Sequence, residues 1–128
     1  MTYTWIEHTA ELELELRAPD ERGVFRAAVA AFAELLGDGS AEPLCHAISL
    51  AADDRGAQLV GFLEELVFLA DTEGFVPERV AHIDLMTKHA VVKGHVGSPP
   101  PLVKAVTYHG LAFAQGADGW LARIVLDV

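Results

Sequence analysis

Leu12, Leu14 and Leu16 alternate with Glu11, Glu13, Glu15 and Arg17, the period-two pattern of a strand with one buried and one solvent-facing side. Residues 3–7 carry aromatic and β-branched side chains and predict a strand or extended lead-in just before it. After Pro19 the period lengthens. Asp20 is a suitable N-cap, and Val24, Phe25, Ala28, Phe32, Leu35 and Leu36 recur at helical spacing until Gly37 gives a stop signal. Gly37-Asp38-Gly39-Ser40 has turn chemistry, and residues 44–52 alternate again as a strand. A second helix is predicted from about 54 to 72, with Leu59, Leu63, Leu66 and Ala70 on one stripe, Phe62, Val67 and Leu69 widening it, and Gly74 closing it. From Phe75 onward the helical period is gone. Residues 76–85, 90–96, 103–113 and 121–126 read as four strands, with 97–101 a proline-rich loop and 116–119 a hairpin turn.

Two helices with one apolar stripe each, and six or so alternating strands, bury their apolar sides best in an α+β fold. The expected architecture is a two-layer sandwich, with both helices packed on one face of a mostly antiparallel sheet. At 128 residues the chain suits one domain spanning 1–128, long enough for a core without disulfides or structural metals. No apolar run reaches the roughly 18 residues of a membrane span, and the N-terminus lacks the basic and apolar segments of a secretory signal. The single cysteine, Cys45, excludes an internal disulfide and fits a reducing, cytoplasmic setting. Nineteen acidic against nine basic residues give a net charge of -10, which disfavours direct nucleic-acid binding and favours divalent cations or a basic protein partner.

The chain has no phosphate-cradling glycine loop at a strand-to-helix junction and no serine in a nucleophile elbow. Cys45 sits in an apolar strand and reads as a core residue, with His46 on the opposite face. The histidines at 8, 46, 82, 89, 95 and 109 show no paired spacing that would set two imidazoles on one helical face. Glu11, Glu13 and Glu15 share a strand face, where like charges repel unless a cation or a basic surface neutralises them. Oxygen donors of this kind suit calcium, magnesium or manganese, and a carboxylate at Val128 would add a donor if the last strand ended beside the first. Lys104 and Tyr108 fall on one face of their strand and Thr107 and His109 on the other, which marks an edge strand or one whose end reaches a site.

These residues carry a family resemblance. His8-Thr9-Ala10-Glu11 resembles the amino-terminal HTAD motif of archease, Phe62-Leu63-Glu64-Glu65-Leu66 its FLEEL, the segment from Lys104 to His109 its KAVTYH, and Asp127-Val128 its terminal DV. The four matches occur in order over the whole chain. The resemblance implies a non-enzymatic, chaperone-like activator of the RtcB-type RNA ligase, one that promotes guanylylation and multiple turnover of that ligase in tRNA splicing and RNA repair. It also implies a divalent-metal site at Glu11, Asp127 and Val128 and a functional lysine at Lys104. His8 is a candidate supporting donor. This sequence departs from the motif in carrying Glu11 where the family has aspartate and Glu13 where it has glycine. Glutamate keeps the oxygen donors and adds a methylene, and Glu13 either joins the site or faces water. Two rivals are a small metal-dependent hydrolase with His8 or His109 as base, and an interaction protein with merely solvated acids.

Overall fold

The computed structural model describes residues 1–37 and 42–128, so the predicted turn after Gly37 lies outside the described residues. Strands β1 (Thr2–His8) and β2 (Glu11–Ala18) form a hairpin across Thr9-Ala10. Helix α1 (Glu21–Leu36) follows, with the Asp20 carboxylate accepting the Gly23 N–H at 2.7 Å as the N-cap. It stops at Gly37 in an extended conformation, φ -63 and ψ 129, with no left-handed cap. Strand β3 (Glu42–Ser49) leads to helix α2 (Arg55–Glu73), capped by Asp54 and closed by Gly74 at φ 67, a backbone position that glycine occupies without a Cβ clash. Strands β4 (Phe75–Asp84), β5 (His89–Val96), β6 (Ala105–Gly116) and β7 (Gly119–Asp127) complete the chain.

The α+β class and the antiparallel pairing hold, and the strands divide between two sheets. One has four strands in the order β1-β2-β7-β6, the other three in the order β3-β5-β4. The chain crosses between the sheets twice, through α1 after β2 and through the proline segment after β5, where Pro99, Pro100 and Pro101 have no N–H to extend a ladder. The chain leaves one sheet at Val96 and enters the other at Ala105.

Helix α1 packs against β4 of one sheet and β2 of the other. That position explains why its burial exceeds one stripe, with Val24, Phe25, Ala27, Ala28, Val29, Ala31 and Phe32 all buried. The small alanine side chains let the neighbouring strands approach the helix closely. Helix α2 packs against β6 and β4. Both helices and the inner faces of both sheets share one core, in which Phe25 meets Phe62 edge-on with ring centroids 5.5 Å apart. Gln58, 1% exposed, is held inside it: its amide donates to the Ala52 carbonyl at 2.9 Å, and Arg55 donates to its oxygen at 2.9 Å while also pairing with Glu21 at 2.6 Å. The network ties the N-termini of the two helices together. At the rim the Tyr3 hydroxyl donates to the Glu34 carboxylate, joining β1 to α1 and holding the phenol above its ordinary pKa.

Cys45 corrects the sequence reading: it is exposed, not core. Strand β3 turns Ile48 inward, so parity turns Cys45, Ala47 and Ser49 outward. His46 does lie on the other face, packed edge-on against Phe75 and 3.3 Å from Glu73.

Candidate metal centre

Asp127 on β7 is the register partner of Glu11 on β2, Glu11 is the partner of His8 on β1, and Asp127 is the partner of Ala105 on β6. His8, Glu11, Asp127 and Ala105 therefore form one row across the end of the four-stranded sheet, on one face, since directly opposed residues point the same way. Two main-chain hydrogen bonds close the corner. Lys104 N–H donates to the Asp127 carbonyl at 2.8 Å, and Val128 N–H donates to the Ala10 carbonyl at 3.3 Å. The chain ends that the sequence could not place together are thus adjacent, and Lys104 is fixed beside them. The Val128 side chain alternates to the other face and packs against the core.

The remaining acids on this face are neutralised by arginine. Glu13 lies 3.3 Å from Arg123 and 3.6 Å from His8, and Glu15 lies 3.6 Å from Arg123 and 2.9 Å from Arg17. Arg123 Nε approaches Glu13 without a hydrogen-bonding angle, so the contact is an ion pair only. Of the three glutamates only Glu11 is left with no ion-pair partner among the described residues. Asp127 and Lys104 also have none. A basic surface thus offsets the like charges at Glu13 and Glu15, whereas the Glu11–Asp127 pair has no such match. Arg123 was missed in the sequence, although counting back from Asp127 by twos places it on this face.

Among the described residues no three His, Cys, Asp or Glu side chains converge as a metal cage. The oxygen-bearing side chains at this corner are the carboxylates of the register partners Glu11 and Asp127, with Val128 next along the chain. That chemistry fits a hard cation that keeps several waters and does not fit a thiolate or imidazole metal. Strand β6 is an edge strand, as Lys104 and Tyr108 suggested, but its register shifts between Thr107 and Ala112. The bulge, with Gly110 at φ 68 against Val125, ends simple alternation, so the faces of Tyr108 and His109 no longer follow from parity.

The turn that carries Glu11 is strained. Ala10 sits at φ 63, a conformation whose cost for alanine is about 1–2 kcal/mol. Glycine there removes the strain and loses roughly 0.4–1 kcal/mol through a freer unfolded chain. Ala10→Gly is expected to raise stability by about 0.5–1 kcal/mol in denaturant titration, and Ala10→Val to lower it.

A small acidic α+β protein with an oxygen-donor corner formed by its two ends is the class that this geometry defines. The model of the archease protein family (MTH1598/TM1083) matches residues 3–128. The chain belongs to the archease family. It is 35% identical to a probable protein archease of Mycobacterium tuberculosis, over 96% of this chain and 73% of the relative, and 28% identical to a protein archease of Methanosarcina acetivorans over 98% and 95%. The solution structure of Methanobacterium thermoautotrophicum protein 1598 superposes with a TM-score of 0.74 at 25% identity, covering 98% of both chains. A crystal structure from Thermotoga maritima, described as an archease and possible chaperone, gives a TM-score of 0.74 at 20% identity over 96% and 94%, which shows a shared fold. No helix among the described residues is long and apolar enough to cross a membrane.

Proposed function

We propose that this chain is a protein cofactor, not itself an enzyme, that activates an RtcB-type RNA ligase by promoting its guanylylation and multiple turnover in tRNA splicing and RNA repair. Family membership supports the partner class. The observation that carries the site is the in-register Glu11–Asp127 pair, left without a cation while its neighbours Glu13 and Glu15 are matched by arginine. Glu11, Asp127 and main-chain oxygen at Val128 would hold calcium, magnesium or manganese, which there supplies positive charge to offset the facing carboxylates. Lys104 is held next to Asp127 through its main-chain N–H and has no ion-pair partner among the described residues, and His8 lies in the same row as the carboxylates. The net charge of -10 fits docking onto a basic RNA-binding enzyme by electrostatic complementarity, without direct contact to nucleic acid.

Single-turnover guanylylation of a cognate ligase, with and without this protein, tests the reading. Acceleration of at least tenfold is expected. No acceleration, or chelator-sensitive phosphoester turnover by this protein alone, overturns it.

A further inference from the structure

On the other sheet a cluster outside this corner has its own chemistry. Strand β4 shifts register between Val80 and His82: Val80 opposes Val92, yet His82 opposes Val91, so the intervening Ala81 is a bulge residue. Val80 and Ile83 are buried, while His82 is turned out to solvent on the face that carries His89. Bulges commonly re-aim one side chain in this way. The two imidazole rings then lie with centroids 5.3 Å apart and planes inclined at 44°.

That spacing has a chemical meaning. A nitrogen–metal distance of about 2.0–2.1 Å puts a ring centroid about 3.2 Å from the ion, so two cis imidazoles on one ion have centroids about 4.5–5.2 Å apart. The observed separation lies within a few tenths of an ångström of that range. His89 is also oriented from behind, because its Nδ1 is 2.8 Å from Thr87 Oγ1. With Nδ1–H donating to the hydroxyl, the Nε2 lone pair is the one presented, which is the tautomer control found at histidine ligands. Thr87 is itself fixed, its N–H donating to Asp84 Oδ1 at 3.1 Å in a turn where Met86 N–H does the same at 2.9 Å. These two bonds, the Thr87 one first, hold Asp84 below its ordinary pKa. His82 also borders a surface depression of about 430 Å³ lined by Asp84, Met86, Arg22 and Arg55, which His89 does not line.

We propose that His82 and His89 form a two-imidazole chelate for a divalent transition-metal ion of the nickel, copper and zinc class. Imidazole suits these ions and carboxylate corners suit calcium and magnesium, so ligand chemistry separates this site from the Glu11–Asp127 corner. No third His, Cys, Asp or Glu side chain completes a cage among the described residues. Water fills the remaining positions, and the ion is exchangeable, with no structural role.

Calorimetric titration of the tag-free full-length chain with nickel chloride tests this. One equivalent is expected. His82→Ala and His89→Ala should each weaken it at least tenfold, Thr87→Val should weaken it by a smaller factor, and Asp127→Ala should leave it unchanged. Both histidines are on the solvent face, and circular dichroism checks that the variants stay folded. With one equivalent of Cu2+, electron paramagnetic resonance should show two imidazole nitrogens in wild type and one in either single variant. An unchanged isotherm in His82→Ala, or a wild-type spectrum with fewer than two nitrogens, overturns the proposal.

Discussion

On the proposed function, Asp127→Ala is expected to remove activation of the ligase while leaving the protein folded and no less stable. Two facing carboxylates repel, so the loss of one relieves roughly 0.2–1 kcal/mol of cross-strand repulsion in the metal-free protein. A core defect would move stability and activation together, whereas a site defect separates them. Guanylylation rate is expected to fall at least tenfold, equivalent to about 1.4 kcal/mol of barrier. The denaturation midpoint should be unchanged or slightly raised. Asp118→Ala is the matched control: it has the same charge change and is exposed, but lies in the β6–β7 turn away from the row. Equal effects of the two substitutions on guanylylation would remove Asp127 from the site. Glu11→Ala should behave as Asp127→Ala does.

The largest stability effect is expected at Phe62. Its side chain is fully buried against Phe25 where α2 meets α1. Truncation to alanine combines lost transfer energy with a cavity, about 3–5 kcal/mol. Small domains hold only about 5–15 kcal/mol in total, so Phe62→Ala should leave the protein marginal at 37 °C. Phe68 on the same helix is 58% exposed, and its replacement by alanine should stay within about 0.5 kcal/mol of wild type in urea. A loss at Phe68 comparable with that at Phe62 would mean that α2 is turned differently about its axis.

Much of this arrangement was readable in the chain. Period-two alternation located β2 because one of its sides is buried and the other wet, and that difference is written into successive residues. Asp20 announced the start of α1 because a cap acts over three residues, well within local reach, and the structure adds Asp54 as the cap of α2. Gly74 announced an end for the same reason, while Gly37 ended a helix in an extended conformation, where the need for glycine is steric: a Cβ there would lie 2.3 Å from the Ala33 carbonyl oxygen. Cys45 misled because an apolar segment contains two parities, and only the partner layer decides which one faces inward. The bulges at Ala81 and after Thr107 were not visible either, since one inserted residue changes the face of everything beyond it without altering composition.

The acids and the ordered motifs were present in the sequence itself, and they were enough to mark Glu11, Asp127, Val128, Lys104 and His8 together. What only the tertiary structure decided was their adjacency and their charge balance. Register is a relation between segments more than a hundred residues apart, and it is set by burying Leu12, Leu14 and Leu16 with Ala122, Ile124 and Leu126 on the same side. Once those core residues align, Glu11 faces Asp127. Arg123 then falls between Glu13 and Glu15, and the unmatched charge on this face is left at the corner where β2 and β7 meet.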